Sequence, residues 1–300
     1  MTRRRNHTVP GKSCFDDIYD QPDPRAYFRR LAPLEYRIPQ HAQPLFRRVH
    51  RARAAIPGHR GPVTVLDVCC SYGINAALLN HDLTLDELYE HYTGPQARDR
   101  TRDELIAWDK EFYASRRRPD PIRVLGLDAA ANPVRYALDV GLLDDGFAED
   151  LESAPPSKRL CRAMAGTGLI TVTGGVGYIS ARTFRALLDC AQLPVWVVAF
   201  VLRTVSYAPV ARALAEYGLA TEQDTDHSYP QRLFTDPAEQ RSAIEALTAA
   251  GGDPTGKEAD GRYHTTLYLS RPGQRQPGLD ALVAEAFAHL NGGPGHDGDG

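Results

Sequence analysis

Four stretches of the 300-residue chain bring together residue types that could do chemistry. In the first, Asp67, Cys69, Ser71 and Gly73 alternate directly after the apolar run 63–67. Small side chains in such a loop let the backbone approach a ligand closely, and Gly73 can adopt a positive φ without a Cβ clash. In the second, Arg123-Val-Leu-Gly-Leu-Asp128 sets a carboxylate at the end of another apolar run. At the carboxyl end of a strand in a doubly wound sheet, such an acid can accept both hydroxyls of a ribose. The third is Gly146-Phe-Ala-Glu-Asp-Leu151, with the neighbouring acids Glu149 and Asp150; the fourth, Thr171-Val-Thr-Gly-Gly-Val-Gly-Tyr178, ends in glycines and an aromatic ring. Metal chemistry finds no support. Cys14, Cys69, Cys70, Cys161 and Cys190 have no ligand spacing and are odd in number, and reduced thiols are the simplest expectation.

The elements that must position these residues alternate between strand and helix. Strand signals lie at 63–67, 122–128, 169–173 and 195–202. Between them, Asn132 and Pro133 offer an N-cap and a first-turn proline, with Gly141 at the helix end. Ser180 can cap a helix whose Phe184, Leu187, Leu188 and Ala191 share one face, and residues 209–217 form another, closed by Gly218. This β-α-β series predicts an α/β fold, a mostly parallel sheet covered by helices on both faces. Near the C-terminus, Asp236 caps a helix ending near Gly251, and the run 263–270 leaves no room for another crossover. An antiparallel last strand, paired with 229–234, is therefore expected. Upstream, Asp23-Pro24 starts one helix and a second runs from Pro44 to about Ala55. Thr84 with Glu87 and Thr101 with Glu104 form two capping boxes between the first two strands, so 82–118 is a helical insert, either a lid or inert decoration.

The loop after the first strand resembles motif I of class I methyltransferases, an acidic residue followed by alternating glycines. Asp67 stands at the acidic position, and Cys69, Ser71 and Gly73 at the three glycine positions, of which one keeps its glycine. The resemblance spans roughly 60–270. It implies a Rossmann-like, doubly wound, seven-stranded sheet with an antiparallel last strand, preceded by an N-terminal helical cap over 1–59 and followed by a C-terminal helix and disordered tail over 271–300. It also implies S-adenosylmethionine as cofactor, with Asp128 on its ribose and Asp150, with Glu149 beside it, at the adenine amino group. Thr173, Gly174 and Gly175 would meet the methionine part, while Asn75, Ala129 and Leu151 complete the expected set. Tyr178 would face the sulfonium or pack under the sheet edge. His227, in the loop before a late strand, is the best base among singly scattered histidines, and Tyr19 belongs to an N-terminal aromatic group with Phe15, Tyr27 and Phe28 that could close over the site.

What the cofactor serves is left open by the residues. The Asn/Asp-Pro-Pro-aromatic signature of many amino-methylating enzymes is absent from 171–178, which disfavours DNA and protein targets. Methyl transfer to a small metabolite is the first expectation. Cyclisation of the cofactor's aminobutyrate arm, giving a small-ring amino acid and methylthioadenosine, is the alternative, and a non-catalytic binding module is the third. A dinucleotide cofactor is disfavoured, because no G-x-G-x-x-G follows a strand signal to seat a pyrophosphate; the one match, Gly293 to Gly298, falls in the tail.

Composition adds exclusions. Apolar residues make up 42% and charged residues 24% of the chain, ordinary for a globular protein, and no run approaches the ~18 apolar residues of a membrane span. Three arginines follow Thr2, but polar residues 6–17 replace a signal peptide's apolar core, so a cytoplasmic location is expected. The net charge is -3, and no nucleic-acid partner is expected. Residues 1–60 nevertheless hold 13 Lys and Arg against 5 Asp and Glu, read as a solvated helical face rather than an anionic-partner site. The expected partner is a small molecule, or nothing beyond the cofactor, with a homodimer the assembly open to the chain.

Overall fold

The computed structural model describes residues 20–57, 61–192, 194–273 and 277–291. Tyr19, Phe15 and the tail over 292–300 lie outside the described residues. The chain opens with helices α1 (Arg25–Leu31) and α2 (Ile38–Ala54). Ile38, Ala42, Leu45, Phe46 and Val49 make the buried stripe of α2, so the helix begins six residues before the expected Pro44, which it tolerates inside. Strand β1 (Thr64–Val68) leads into α3 (Ile74–Asn80). The insert contributes α4 (Leu85–Thr93), a single turn over Pro95–Arg98, and α5 (Arg102–Ala114). Then follow β2 (Val124–Asp128), α6 (Ala131–Asp139), β3 (Asp145–Ala148), α7 (Lys158–Met164), β4 (Thr167–Thr173), α8 (Ala181–Leu188), β5 (Trp196–Leu202) and α9 (Ala208–Ala215). The C-terminal part holds β6 (Leu219–Gln223), β7 (Tyr229–Leu233), α10 (Pro237–Ala249), β8 (Arg262–Pro272) and α11 (Leu279–Asn291).

The sheet runs β3-β2-β1-β4-β5-β8-β6, with β7 paired to β8. Strands β1 to β5 pair in parallel, and β8 is antiparallel to β5, β6 and β7. That makes eight strands, one more than the seven expected. The additional strand is accommodated because β6 and β7 lie end to end along β8: β6 pairs with 268–272 and β7 with 262–265. Leu202, at the carboxyl end of β5, pairs with Thr265, so β7 extends the sheet at its carboxyl edge.

Two apolar layers sandwich the sheet, with strand residues alternating between them as the pleat requires. Val65, Val124, Leu169, Val198 and Phe200 join the layer under α1 to α6 and α11; Leu66, Leu125, Ile170, Val197 and Val201 join the layer under α7 to α9. Both capping boxes are formed, at Thr84 with Glu87 and at Thr101 with Glu104. The insert is fastened from inside. Asp109, 0% exposed, accepts hydrogen bonds from Tyr92 Oη at 2.7 Å and Tyr136 Oη at 2.6 Å and meets His91 Nε2 at 2.7 Å. His91 is itself stacked between Trp108 and Phe112.

Two expectations need correction. The helical arginines of α2 form a solvated face only in part: Arg47 and Arg53 are buried, donating to the carbonyls of Leu79 and Pro194, while Arg48 pairs with Glu285 and the exposed Arg51 lies beside Asp120. Nor are all thiols reduced. Cys161 on α7 and Cys190 just after α8, 29 residues apart in sequence, are joined by a disulfide with Cα atoms 4.8 Å apart, because neighbouring helices on one face bring them together. Cys69 and Cys70 form no disulfide among the described residues.

Candidate functional site

The chain leaves β1 through a loop that no ordinary turn would make. Cys69, Ser71 and Gly73 all hold positive φ, at 59°, 49° and 76°. Only the last is glycine, and a left-handed conformation costs other residues roughly 1–2 kcal/mol each. The strain aims the backbone: Ser71 N donates to Asp128 Oδ2 at 2.9 Å. Ala130 N donates to the other oxygen of Asp128, also at 2.9 Å. The carboxylate at the end of β2 is thereby held in one orientation between two backbone N–H groups.

These residues wall a cavity of about 240 Å³ at the carboxyl edge of β1, β2 and β4. β1 lies between β2 and β4 in the sheet, which makes this the place where the strand order reverses and where ligands bind in open α/β sheets. Cys69, Cys70 and Ser71 form the floor, Asp128 and Ala129 one wall, and Glu149, Asp150 and Leu151 its continuation after β3. Thr173, Gly174 and Gly175 bring the end of β4. A Cβ on Gly175 would stand 2.8 Å from Cys69 Sγ, so the two loops can meet this closely only with a glycine there.

Several predicted residues are placed otherwise. Asp67 lies beneath the floor rather than in the cavity wall, 0% exposed, where it accepts hydrogen bonds from Thr171 Oγ1 at 2.7 Å and Asn75 Nδ2 at 3.0 Å. Burial pushes its carboxyl up to about 7, the two hydrogen bonds oppose the rise, and the nearby charge of Asp128 adds to it. Gly73 likewise stays out of the cavity; its Cα packs on α6, where a Cβ would come within 3.1 Å of Ala137. His227 is outside too, its ring exposed and 3.2 Å from Asp224, because β7 reaches the cavity only four residues further on. Asn75 and Tyr178 do line it, with Tyr178 the more exposed at 38%. No histidine is among the lining residues described.

Other lining residues were not legible as motifs. Glu152 follows Asp150 but serves the fold, accepting from the backbone N and hydroxyl groups of both Ser180 and Thr183 at the start of α8. Tyr27, Leu31, Tyr36 and Pro39 cover the cavity from the N-terminal helices. Tyr27 was legible as part of an aromatic cap; its partner Phe28 instead stacks on Tyr92, 4.6 Å between ring centroids. Burial raises the pKa of the Tyr36 phenol, and its hydrogen bond with Tyr27 opposes the rise. Gln231 and Arg232, from β7, complete the lining.

The polar chemistry of the cavity is unfinished. Ser71 Oγ, Asn75 Oδ1 and Gln231 Oε1 are buried oxygens with no hydrogen-bond partner among the described residues, and all three residues line it. Buried acceptors are almost always satisfied, so three unsatisfied oxygens in residues that line one crevice are unusual.

No family model matches the sequence and no curated protein does. Among solved structures, a chain of the complex between the Haloferax volcanii Trm112 methyltransferase activator and a methyltransferase is similar over 86% of this chain and 99% of its own, at 15% identity and TM-score 0.39. The plantazolicin methyltransferase BpumL, solved with S-adenosylhomocysteine, is similar over 86% and 89%, at 10% identity and TM-score 0.38. The (4+2)-cyclase SpnF is similar over 76% and 81%, at 14% identity and TM-score 0.35. The parallel strands β1 to β5 with the antiparallel β8 agree with the mostly parallel, doubly wound sheet and antiparallel last strand implied by the motif I resemblance. The fold is the Rossmann-like fold of class I methyltransferases.

Proposed function

We propose that the chain is an S-adenosylmethionine-dependent enzyme that transfers a methyl group to a small molecule. The observation that carries this is the crevice at the strand-order reversal, where a fixed carboxylate, Asp128, faces a glycine-poor but backbone-exposed loop and buried oxygens lacking partners. The residues present fit the cofactor. A carboxylate has about four lone-pair sites, enough to keep two backbone N–H groups and accept ligand hydroxyls as well, so Asp128 would hold the ribose. Asp150, with Glu149 beside it, would meet the adenine amino group, and Thr173 and Gly174 the methionine part. When bound, S-adenosylmethionine supplies a methyl carbon activated by its sulfonium.

The chain's own residues contribute alignment and exclusion of water. Tyr178, which lines the cavity, would offer its ring to the sulfonium, a cation–π contact worth about 0.5–2 kcal/mol. Tyr27, Tyr36 and Pro39 enclose the acceptor side, and holding reactants in line is the main lever available for such a displacement.

A second reading keeps the ligand and changes the reaction to closure of its aminobutyrate arm. It is supported by a motif I that keeps one glycine of three and by the missing Asn/Asp-Pro-Pro-aromatic signature at 171–178. One assay separates the two. Purified protein incubated with S-adenosylmethionine alone should yield no product, and S-adenosylhomocysteine should form only when an acceptor is added. Methylthioadenosine without an acceptor would replace methyl transfer by cyclisation, and no turnover with any acceptor would remove both.

A further inference from the structure

The segment that follows β3 hangs between two helices that are covalently tied to each other. Glu149, Asp150, Leu151 and Glu152 line the cavity, yet two of their carboxylates are engaged by helix ends. Glu149 accepts from Ser157 N at 2.8 Å and from Ser157 Oγ at 2.6 Å, and Ser157 caps α7. Glu152 accepts from Ser180 N at 2.8 Å and from Thr183 Oγ1 at 2.6 Å, in the first turn of α8. This wall of the cavity is therefore placed by where α7 and α8 begin.

Further along the same two helices, Cys161 and Cys190 are joined by the disulfide. The charged side chains of these helices look elsewhere: Arg159 pairs with Asp145 of β3, and Arg185 with Glu216 at the end of α9. What α7 and α8 otherwise share is an apolar layer, with Leu160 and Met164 from one and Phe184, Leu187 and Leu188 from the other. Apolar packing is non-directional, whereas a disulfide fixes the separation of its ends, here 4.8 Å between Cα atoms. The sulfur link is thus the one directional tie between the helices among the described residues. Both cysteines are half-buried rather than enclosed, so an attacking thiolate can reach the bond, and exposed disulfides are the labile ones.

We infer that the Cys161–Cys190 bond is a redox-active site whose opening by a dithiol loosens the cavity wall at 149–152 and weakens ligand binding. One thiolate of the reductant attacks a sulfur of the bond and forms a mixed disulfide. Its second thiol then displaces the protein sulfur. Two electrons and two protons pass to the cysteines, and the reductant leaves as its own disulfide. The shared apolar layer would keep both helices on the sheet, so the effect is on the wall and not on the fold. The binding readout rests on S-adenosylmethionine being the ligand; the effect on the wall does not.

Amide hydrogen exchange and calorimetric titration of the full chain, each with and without dithiothreitol, test the inference, with non-reducing peptide mapping to follow the bond. Reduction should speed exchange over 149–157 and weaken S-adenosylhomocysteine about fivefold or more, the usual lower bound for coupling between two sites. By reciprocity, saturating S-adenosylhomocysteine should make the bond harder to reduce by the same factor. The double variant Cys161→Ala, Cys190→Ala should behave as the reduced chain under both conditions. Equal affinity in the two states, or equal exchange over 149–157, would overturn the inference, and neither comparison needs a variant to fold. A dithiol effect that persists in the double variant would overturn it too, as would failure to recover the cross-linked peptides after oxidation. If the unaltered protein binds no S-adenosylhomocysteine in either state, the cofactor reading falls, and hydrogen exchange alone decides the redox role.

Discussion

Asp67 shows how a residue can support a cavity without lining it. It was legible as the acid of motif I, yet its carboxyl lies under the loop, joined to Asn75 and Thr171, and burial pushes it up to about 7. The folded chain therefore keeps a proton that an unfolded chain, with an ordinary aspartate near 3.8, has already released. The stability associated with that proton is complete below the unfolded pKa and is lost as pH rises toward 7, by at most about 4 kcal/mol. Urea titrations from pH 4 to pH 8 should show the stability gap between Asp67→Asn and the unaltered chain moving in favour of the variant as pH rises. A gap independent of pH would mean the carboxyl is ionised throughout. Ser71 makes the complementary case. Its φ of 49° and its unsatisfied Oγ are both unfavourable without a ligand, so Ser71→Gly should raise ligand-free stability by about 1 kcal/mol, read as a higher Tm. A fall in Tm would show that the serine is not strained.

At the scale of elements, legibility follows how local the determining physics is. Caps act within one turn, and Thr84, Thr101, Ser180 and Asp236 each accept from the backbone N–H groups their spacing predicts. The start of α2 was hidden because Pro44 looks like a first-turn proline, while the stripe that extends the helix back to Ile38 is satisfied only by burial against the sheet. β6 is short and polar and gives no strand signal; it exists because the edge of β8 is there to pair with. The register shift of β7 against β8 at Gln231 cannot be read from sequence, since it depends on how two segments pair. The insert separates local from tertiary contributions cleanly. Thr101→Ala should cost about 1 kcal/mol, the usual value of a lost cap. Asp109→Ala should cost about 3 kcal/mol or more, because it strands the buried hydroxyls of Tyr92 and Tyr136 together with His91. Equal losses in chemical denaturation would contradict the fastening of the insert by that network.

Across the whole molecule, the cavity is a meeting of distant segments. Residues 69–75, 128–130, 149–152, 173–179 and 231–232 converge only because β1 stands between β2 and β4 and because β7 extends the carboxyl edge. The mostly parallel sheet with its antiparallel last strand and the carboxylate at the end of β2 were legible because strand-terminal acids and tight loops leave marks in sequence. The roof from α1 and α2 was legible only in Tyr27, since aromatic residues on amphipathic helices serve the core far more often than a ligand. The insert, with its buried Asp109 network, belongs to the body of the fold beside this roof.

The central claim is that this crevice binds an adenosyl group anchored through Asp128. Calorimetric titration of S-adenosylhomocysteine into the unaltered chain and into Asp128→Ala tests it most directly. One site per chain is predicted, weakened about tenfold or more by the substitution with the circular dichroism spectrum unchanged. Absence of binding to the unaltered chain, or equal affinity in both, would contradict it.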